Sequence, residues 1–313
     1  MKKNLLFILI PFVLISQNEK DIFTMFYNVE NFFDTINNPM TNDNEFLPNA
    51  KKQWDTHKYN QKIDQLTKIF SSINDGKHPN IIGLCEVENK SVIEDLLDNS
   101  FFYQQNYTII HNNSPDKRGI DCALLFDDTF TLLKKDFIKI DIPNARPTRD
   151  IVYVKLVIKN EILHVFVNHW PSRWGGQQET NHRRMVASNR LQEYIDNHIN
   201  LDEHIIIMGD FNDYASNESV KKLVSKNNFT NLTEYITGKD SGSYNYKGEW
   251  NFIDHIIISN SLLNKKIYYN TFKKEWMIYT NDKGEQYPSR TYGGNNWYGG
   301  FSDHLPIFLG FTL

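Results

Sequence analysis

Cysteine is nearly absent: only Cys85 and Cys122 occur, both in apolar, strand-like runs, and neither has the spacing of a zinc knuckle. Two separate buried thiols are expected, with a disulfide between them as the alternative in an exported chain. Positive charge is not in excess. The formal net charge of −4 excludes a global cationic field that would hold nucleic acid by charge alone, though not local contacts to phosphate. Of the 34 basic residues only eight are arginine, and none precedes Arg118. Long Pro/Gly/Ser linkers, low-complexity tracts and internal repeats are missing, so a single domain is expected. No HExxH, GxSxG or P-loop occurs either, which removes the common protease, esterase and nucleotidase signatures.

What is present begins at the N-terminus. Lys2 and Lys3 precede an almost unbroken apolar stretch from Leu5 to Ile15, followed by polar SQNEKD. That is the layout of a secretory signal, and the apolar run is too short to span a bilayer comfortably. A buried N-terminal strand or helix is the competing reading. Ser16 suits a cleavage site but Leu14 does not, and no Cys follows to accept a lipid. Residues 1–19 are therefore read as a signal and 20–313 as one monomeric domain, periplasmic or secreted, without a stable membrane span. A chain of 313 residues with 40% hydrophobic content can bury a substantial core.

Short apolar runs alternate with a few amphipathic segments. Strands are expected at 22–27, 81–86, 107–111, 121–126, 151–158, 162–169, 205–210, 253–259 and 306–311, with a hairpin turning at Lys159-Asn160-Glu161. Tyr59, Ile63, Leu66, Phe70 and Ile73 recur at helical spacing and predict a helix over 57–74. Asn89 or Ser91 would cap a second helix. Thr180 or Asn181 would cap a third, with Ala187, Leu191, Tyr194 or Ile195, and His198 on its stripe. Strands outnumber helices and include hairpins, which implies mixed sheets with helices outside, an α/β or α+β class.

The buried runs share an odd ending. They terminate in Asn28 (MFYNVEN), Glu86 (GLCEVEN), His169 (VNHW), and Asp210 and Asn212 (IIIMGDFND), while Asp254 opens one and Asp303 and His304 (FSDHLP) precede the last. Alternation puts His169 on the face of Leu163, Val165 and Val167, and Asp210 on that of Ile206 and Met208. A polar group there is expensive to bury unless it is paired or metal-bound. A single Asp-Phe-Asn-Asp is ordinarily a capped turn, and an EF-hand fails because Ala215 and Lys221 stand where Gly and Glu are required. Five such endings together instead predict a rim of carboxylates, amides and imidazoles, suited to Mg²⁺ or Mn²⁺ more than to zinc.

In order along the chain, FYNVEN, IIGLCEVEN, RGIDCALLF, NHWPSR, IIIMGDFND, NFIDHIIIS and FSDHLP resemble the motifs of the endonuclease/exonuclease/phosphatase superfamily, over residues 23 to 306. The resemblance implies a four-layer sandwich, two packed mixed sheets flanked by helices, with the site where strands of both sheets end. It implies Glu86 as the principal metal ligand with Asn28 and Asp303 close to the ion, and Asp254 as the partner orienting His304. His304 would polarise or deprotonate the attacking water, or stabilise the pentavalent phosphorus. His169 would donate to a phosphate oxygen, and Asp210 and Asn212 would position nucleophile and phosphate.

Arg is the better fork for phosphate oxygens. Arg118 and Arg173 lie inside motifs and Arg290 shortly before FSDH, so these three are expected to line the substrate groove. Trp170 and Trp174 flank Arg173 and are read either as stacking platforms or as core anchors. The Gly-rich GGNNWYGGFSDH segment is expected to loop over the site. DKRGIDCAL holds no equivalent of the tyrosine found in abasic-site endonucleases, and the Lys/Arg motifs of inositol polyphosphate 5-phosphatases are missing. The expected function is an exported, metal-dependent phosphodiesterase, most simply a nuclease acting on nucleic acid. The alternatives are a sphingomyelinase-like phospholipid phosphodiesterase, a phosphomonoesterase, and a non-catalytic binding protein on the same scaffold.

Overall fold

The computed structural model describes residues 20–103, 105–238 and 240–313. The signal expected over 1–19 lies outside the described residues. Two six-stranded mixed sheets form the body. The first is built around β1 (Asp21–Phe32), which runs parallel to β2 (Ile81–Val87) and antiparallel to the C-terminal strand Ile307–Thr312. Beyond β2 lie β4 (Asp121–Phe126) and β3 (Thr108–His111), and Ile267–Thr271 forms the opposite edge. The second sheet runs β5 (Thr131–Ile138), β6 (Ile151–Ile158), β7 (Glu161–His169), β8 (His204–Asp210), the strand Asp254–Ile258 and β9 (Thr230–Asn231). β7 and β8 are parallel and the other pairs antiparallel.

Period-two alternation sorts the side chains into three apolar layers. Ile22 and Phe26 of β1 meet Val165, Val167, Ile206 and Met208 between the sheets. Phe23, Met25 and Tyr27 face α1 (Thr56–Ile73) and α2 (Lys90–Leu97), whose Leu66, Phe70 and Ile93 complete the first outer layer. Phe166, Ile205 and Ile207 face α3 (Gln177–His198) and α4 (Glu218–Lys226) across the second. Three interlayer cores make a four-layer sandwich, as expected. α1 is capped by Asp55, which accepts from Lys58 N, and α2 by Asn89, which accepts from Val92 N.

Three local expectations differ. α3 begins at Gln177 behind Gly176, without a side-chain cap, because Thr180 Oγ1 donates instead to Gly176 O. His198 is exposed, since the stripe of α3 ends at Ile195 and Ile199. The Gly-rich segment does not cover the site. Tyr292–Gly293 and Asn296–Trp297 form a small hairpin docked beside α1, with Trp297 against Trp54 at 5.7 Å. The packing of Trp297 on Trp54 holds the hairpin there.

Cys85 and Cys122 are direct cross-strand neighbours, both buried and both free. Close approach also explains the glycine one residue before the end of β8. A Cβ on Gly209 would stand 2.3 Å from the Asn168 carbonyl oxygen and 2.6 Å from Asn168 Cβ on the parallel neighbour β7. Gly209→Ala is therefore expected to destabilise the fold by ~1–3 kcal/mol, read as a lower urea midpoint at unchanged slope.

Candidate active site

The alternation that fills the inter-sheet core runs out at one rim, and the polar endings converge there. Asn28, His169, Asp210 and Asp254 continue the inward faces of β1, β7, β8 and the Asp254–Ile258 strand, and all are buried. Glu86 is different. Its even number places it with Ile82 and Leu84, which face the helices. A register shift between Cys85 and Val87, with Glu86 at φ +64°, makes it the bulged residue and turns it to the rim. A left-handed glutamate is strained backbone at a place where a carboxylate is re-aimed. Glu86 Oε2 is then held by Asn31 N at 2.9 Å, while Oε1 stands 3.9 Å from His169 Nε2.

At the centre, Asp254 Oδ2 binds His304 Nδ1 at 2.8 Å, leaving Nε2 facing Asn28 Nδ2 at 3.4 Å and Asp210 Oδ2 at 3.9 Å. Asn28 Nδ2 donates to Asp210 Oδ2 at 3.1 Å, and His169 Nε2 lies 3.6 Å from the same oxygen. The other Asp210 oxygen accepts from Asn212 N at 2.8 Å, and the Asn212 amide donates to Trp170 O at 3.1 Å. A groove of about 630 Å³ opens above these groups, lined by Asn28, Glu86, His169, Asp210, Asn212, Asp303 and His304. Asp254 lies behind His304 and does not reach the groove wall.

The electrostatics follow from this packing. Burial and the nearby Asp254 charge push the Asp210 carboxyl up to about 7. Burial opposes charge on His304, but Asp254, through its charge and hydrogen bond, and then Asp210 and Asp303 raise its pKa well above the usual imidazole value. His169 moves the other way: burial, then Arg149, Arg118 and His304, hold it well below 6.5, so it is neutral.

The expected arginines separate. Arg118 and Arg173 line the groove, and Arg118 is half-exposed with Nε 3.6 Å from Asp116. Arg173 is engaged with the turn after β8: Nε donates to Asn212 O at 2.7 Å, and Nη2 to Asp213 at 3.1 Å and Asn217 at 2.7 Å. Arg290 sits at the edge, donating to Asp303 Oδ2 at 3.0 Å, with Glu30 at 3.6 Å. Trp170 is wholly buried against Phe211, whereas Trp174 is 88% exposed on the groove wall. Tyr214, Tyr244 and Tyr246 also line the groove and were not singled out in the sequence. The signal was there for the last two, spaced i, i+2 in SYNYKG, but a short two-stranded ribbon gives alternation too brief to read.

The donor chemistry suits a hard divalent cation. The groove wall presents oxygen atoms of Asn28, Glu86, Asp210 and Asp303, and ligand atoms of Asp210, Asp254 and His304 lie within 4.8 Å of one another, as do those of Cys85, His169 and Asp210. The Asp210 shift reflects burial first and the neighbouring Asp254 charge second, a crowding of acids that a cation at this rim would relieve.

No curated protein matches the chain. Among solved structures, a Bacteroides thetaiotaomicron protein described as of the endonuclease/exonuclease/phosphatase family is 15% identical at a TM-score of 0.60, covering 94% of this chain and 98% of that one. The mannosyl-6-phosphatase of the same organism is 16% identical at 0.59, covering 92% and 98%. Truncated Caenorhabditis elegans TDP2 is 15% identical at 0.58, covering 94% and 98%. At these identities the likeness establishes the fold. The sequence profile of the Endonuclease/Exonuclease/phosphatase family matches residues 23–312, and with its buried Asp/His cluster the chain belongs to that family of metal-dependent phosphoric ester hydrolases.

Proposed function

We propose that this protein is an exported phosphodiesterase, most simply a nuclease, requiring Mg²⁺ or Mn²⁺. One observation carries the choice of a diester. Beside Glu86, Asp210 and His304, the groove of about 630 Å³ is lined by Trp174, Tyr214, Tyr244 and Tyr246, more organic wall than the phosphate of a small monoester would use.

Glu86, Asn28 and Asp303 would hold the metal ion, which when bound supplies charge neutralisation at the phosphate. Asp210, with a pKa of about 7, takes the proton from the attacking water as the water oxygen bonds to phosphorus, and the ester P–O bond breaks with the departing oxygen taking a proton from solvent. Asn212 fixes the Asp210 carboxylate. Neutral His169 and the Asp254-supported His304 imidazolium donate to phosphate oxygens as charge develops. Arg118 is the arginine with a guanidinium left to reach phosphate, while Arg173 and Arg290 act by holding the turn and Asp303.

The test is nicking of supercoiled plasmid and cutting of single-stranded oligonucleotide by purified residues 20–313. EDTA should abolish both and Mg²⁺ or Mn²⁺ restore them. Asp210→Ala should lose about 10² to 10⁴ in rate. A folded, metal-binding protein that cuts neither substrate would remove the nuclease reading. The second reading, a phosphomonoesterase, is favoured by the likeness to a mannosyl-6-phosphatase and predicts release of inorganic phosphate from sugar phosphates instead. Export rests on Lys2, Lys3 and the apolar run to Ile15, and N-terminal sequencing of the protein recovered from its host checks it. No helix among the described residues is long and apolar enough to cross a membrane.

A further inference from the structure

Beside the groove lies a second cavity of about 450 Å³ that shares Tyr244 and Asp303 with it. Its walls are aromatic: Tyr244, Tyr279, Tyr287 and Tyr298, with Arg290 at the edge. Tyr244 joins the two spaces, since its ring centroid is 4.9 Å from that of His304. Tyr279 and Tyr298 are 56% and 63% exposed, large aromatic faces that no core requires.

Asn245 also lines this cavity and is only 6% exposed. Its Oδ1 accepts from Gly248 N at 2.9 Å, which fixes the amide orientation and leaves Nδ2 buried with no hydrogen-bond partner. An unpaired buried donor is costly unless a ligand supplies the acceptor. Two other polar side chains of the wall are spent on Glu285 just outside it, to which Asn281 Nδ2 and Tyr287 Oη both donate. Arg290 is committed to Asp303 and Glu30, so the wall offers no free cation for a second phosphate. A planar ring with an acceptor at its edge suits the tyrosine faces together with the unpaired Asn245 amide.

We infer that this cavity is a base-stacking subsite for the nucleobase of the nucleotide bonded to the scissile phosphate, an inference that rests on the phosphodiesterase reading above. The tyrosines take the faces of the base, and Asn245 Nδ2 donates to a ring nitrogen or carbonyl at its edge. Binding of this kind tolerates different bases. It also needs no basic track, in keeping with the negative net charge of the chain.

The experiment is calorimetric titration of the intact protein, with Mg²⁺, by adenosine 5′-monophosphate, ribose 5-phosphate and mannose 6-phosphate. Adenosine 5′-monophosphate should bind about 5- to 150-fold more tightly than ribose 5-phosphate. The Tyr279→Ala/Tyr298→Ala protein should lose most of that difference while binding ribose 5-phosphate as before. Both side chains are exposed and outside the catalytic rim, so the variant should fold. Equal binding of the two ligands by the natural protein, or a difference that survives in the variant, overturns the subsite. So does mannose 6-phosphate binding as tightly as the nucleotide. Turnover of a phosphodiester is measured separately. Base-dependent binding without diester hydrolysis would keep the subsite and discard the phosphodiesterase, and hydrolysis without base-dependent binding would do the reverse.

Discussion

Asp254→Asn should lower turnover by about 10² to 10⁴ with little change in fold. The substitution is nearly isosteric and leaves an amide oxygen able to accept from His304 Nδ1, now 2.8 Å from Asp254 Oδ2. What it removes is the charge. Burial opposes a charged His304, and Asp254 is the foremost of the groups that overcome it. Without that carboxylate the imidazole pKa must fall. If protonated His304 is the donor to the phosphate, activity is lost as pH rises through its pKa, and the variant's alkaline limb should move to lower pH. If neutral His304 instead takes the water's proton, the acidic limb should move to lower pH. Profiles of kcat/KM against pH for the two proteins distinguish these roles, and the first outcome is expected because Asp210 already offers a base near neutrality. An unchanged profile with a large rate loss would instead make Asp254 a ligand or a purely steric support.

The rim was legible in the sequence because parity was preserved there. β1 as far as Asn28, β7 and β8 to their last residues, and the strand that Asp254 opens all keep strict alternation, so the polar residue had to share the face of its apolar neighbours. Glu86 broke the rule, since a bulge shifts parity by one and no residue type announces it. Of the sheet edges β3 was read, but two others were invisible for a related reason. TLLKKDFI in β5 and IYYNT at 267–271 are half-exposed and charged or polar, as edge strands must be to resist pairing, and so lack the pattern that identifies inner strands. α4 also went unread, being short and mostly polar. Contacts between distant segments were illegible in principle. Glu30 accepts from Thr291 N and Tyr292 N and pairs with Arg290, which in turn holds Asp303. Fully buried Lys62 of α1 donates to Thr291 Oγ1 and Phe301 O behind the same loop. Nothing in the spacing of these residues says that they meet.

Asp213 lies in the turn after β8, and its part is structural. The side chain is wholly buried, away from the groove, with Arg184 Nε at 2.7 Å and Arg173 Nη2 at 3.1 Å, and it accepts from Ser219 Oγ at 2.6 Å. Arg184 is itself fully buried and reaches Thr180 Oγ1 at 2.8 Å and Gln177 O at 2.9 Å, so one carboxylate ties the turn to the starts of α3 and α4. Asp213→Ala should therefore destabilise the fold by ~3–5 kcal/mol, a fall on the order of 10 °C in Tm, because it strands a guanidinium that cannot shed its proton. Arg173 would lose one of its contacts as well, loosening its hold on Asn212 O and with it the Asp210 carboxylate. Calorimetry on the single variant and on Asp213→Ala/Arg184→Leu separates charge from shape. If the penalty is the uncompensated cation, the double variant should be more stable than the single one despite carrying more changes. If instead the double variant is weaker still, the guanidinium's hydrogen bonds to the α3 start, rather than its charge, hold this corner together.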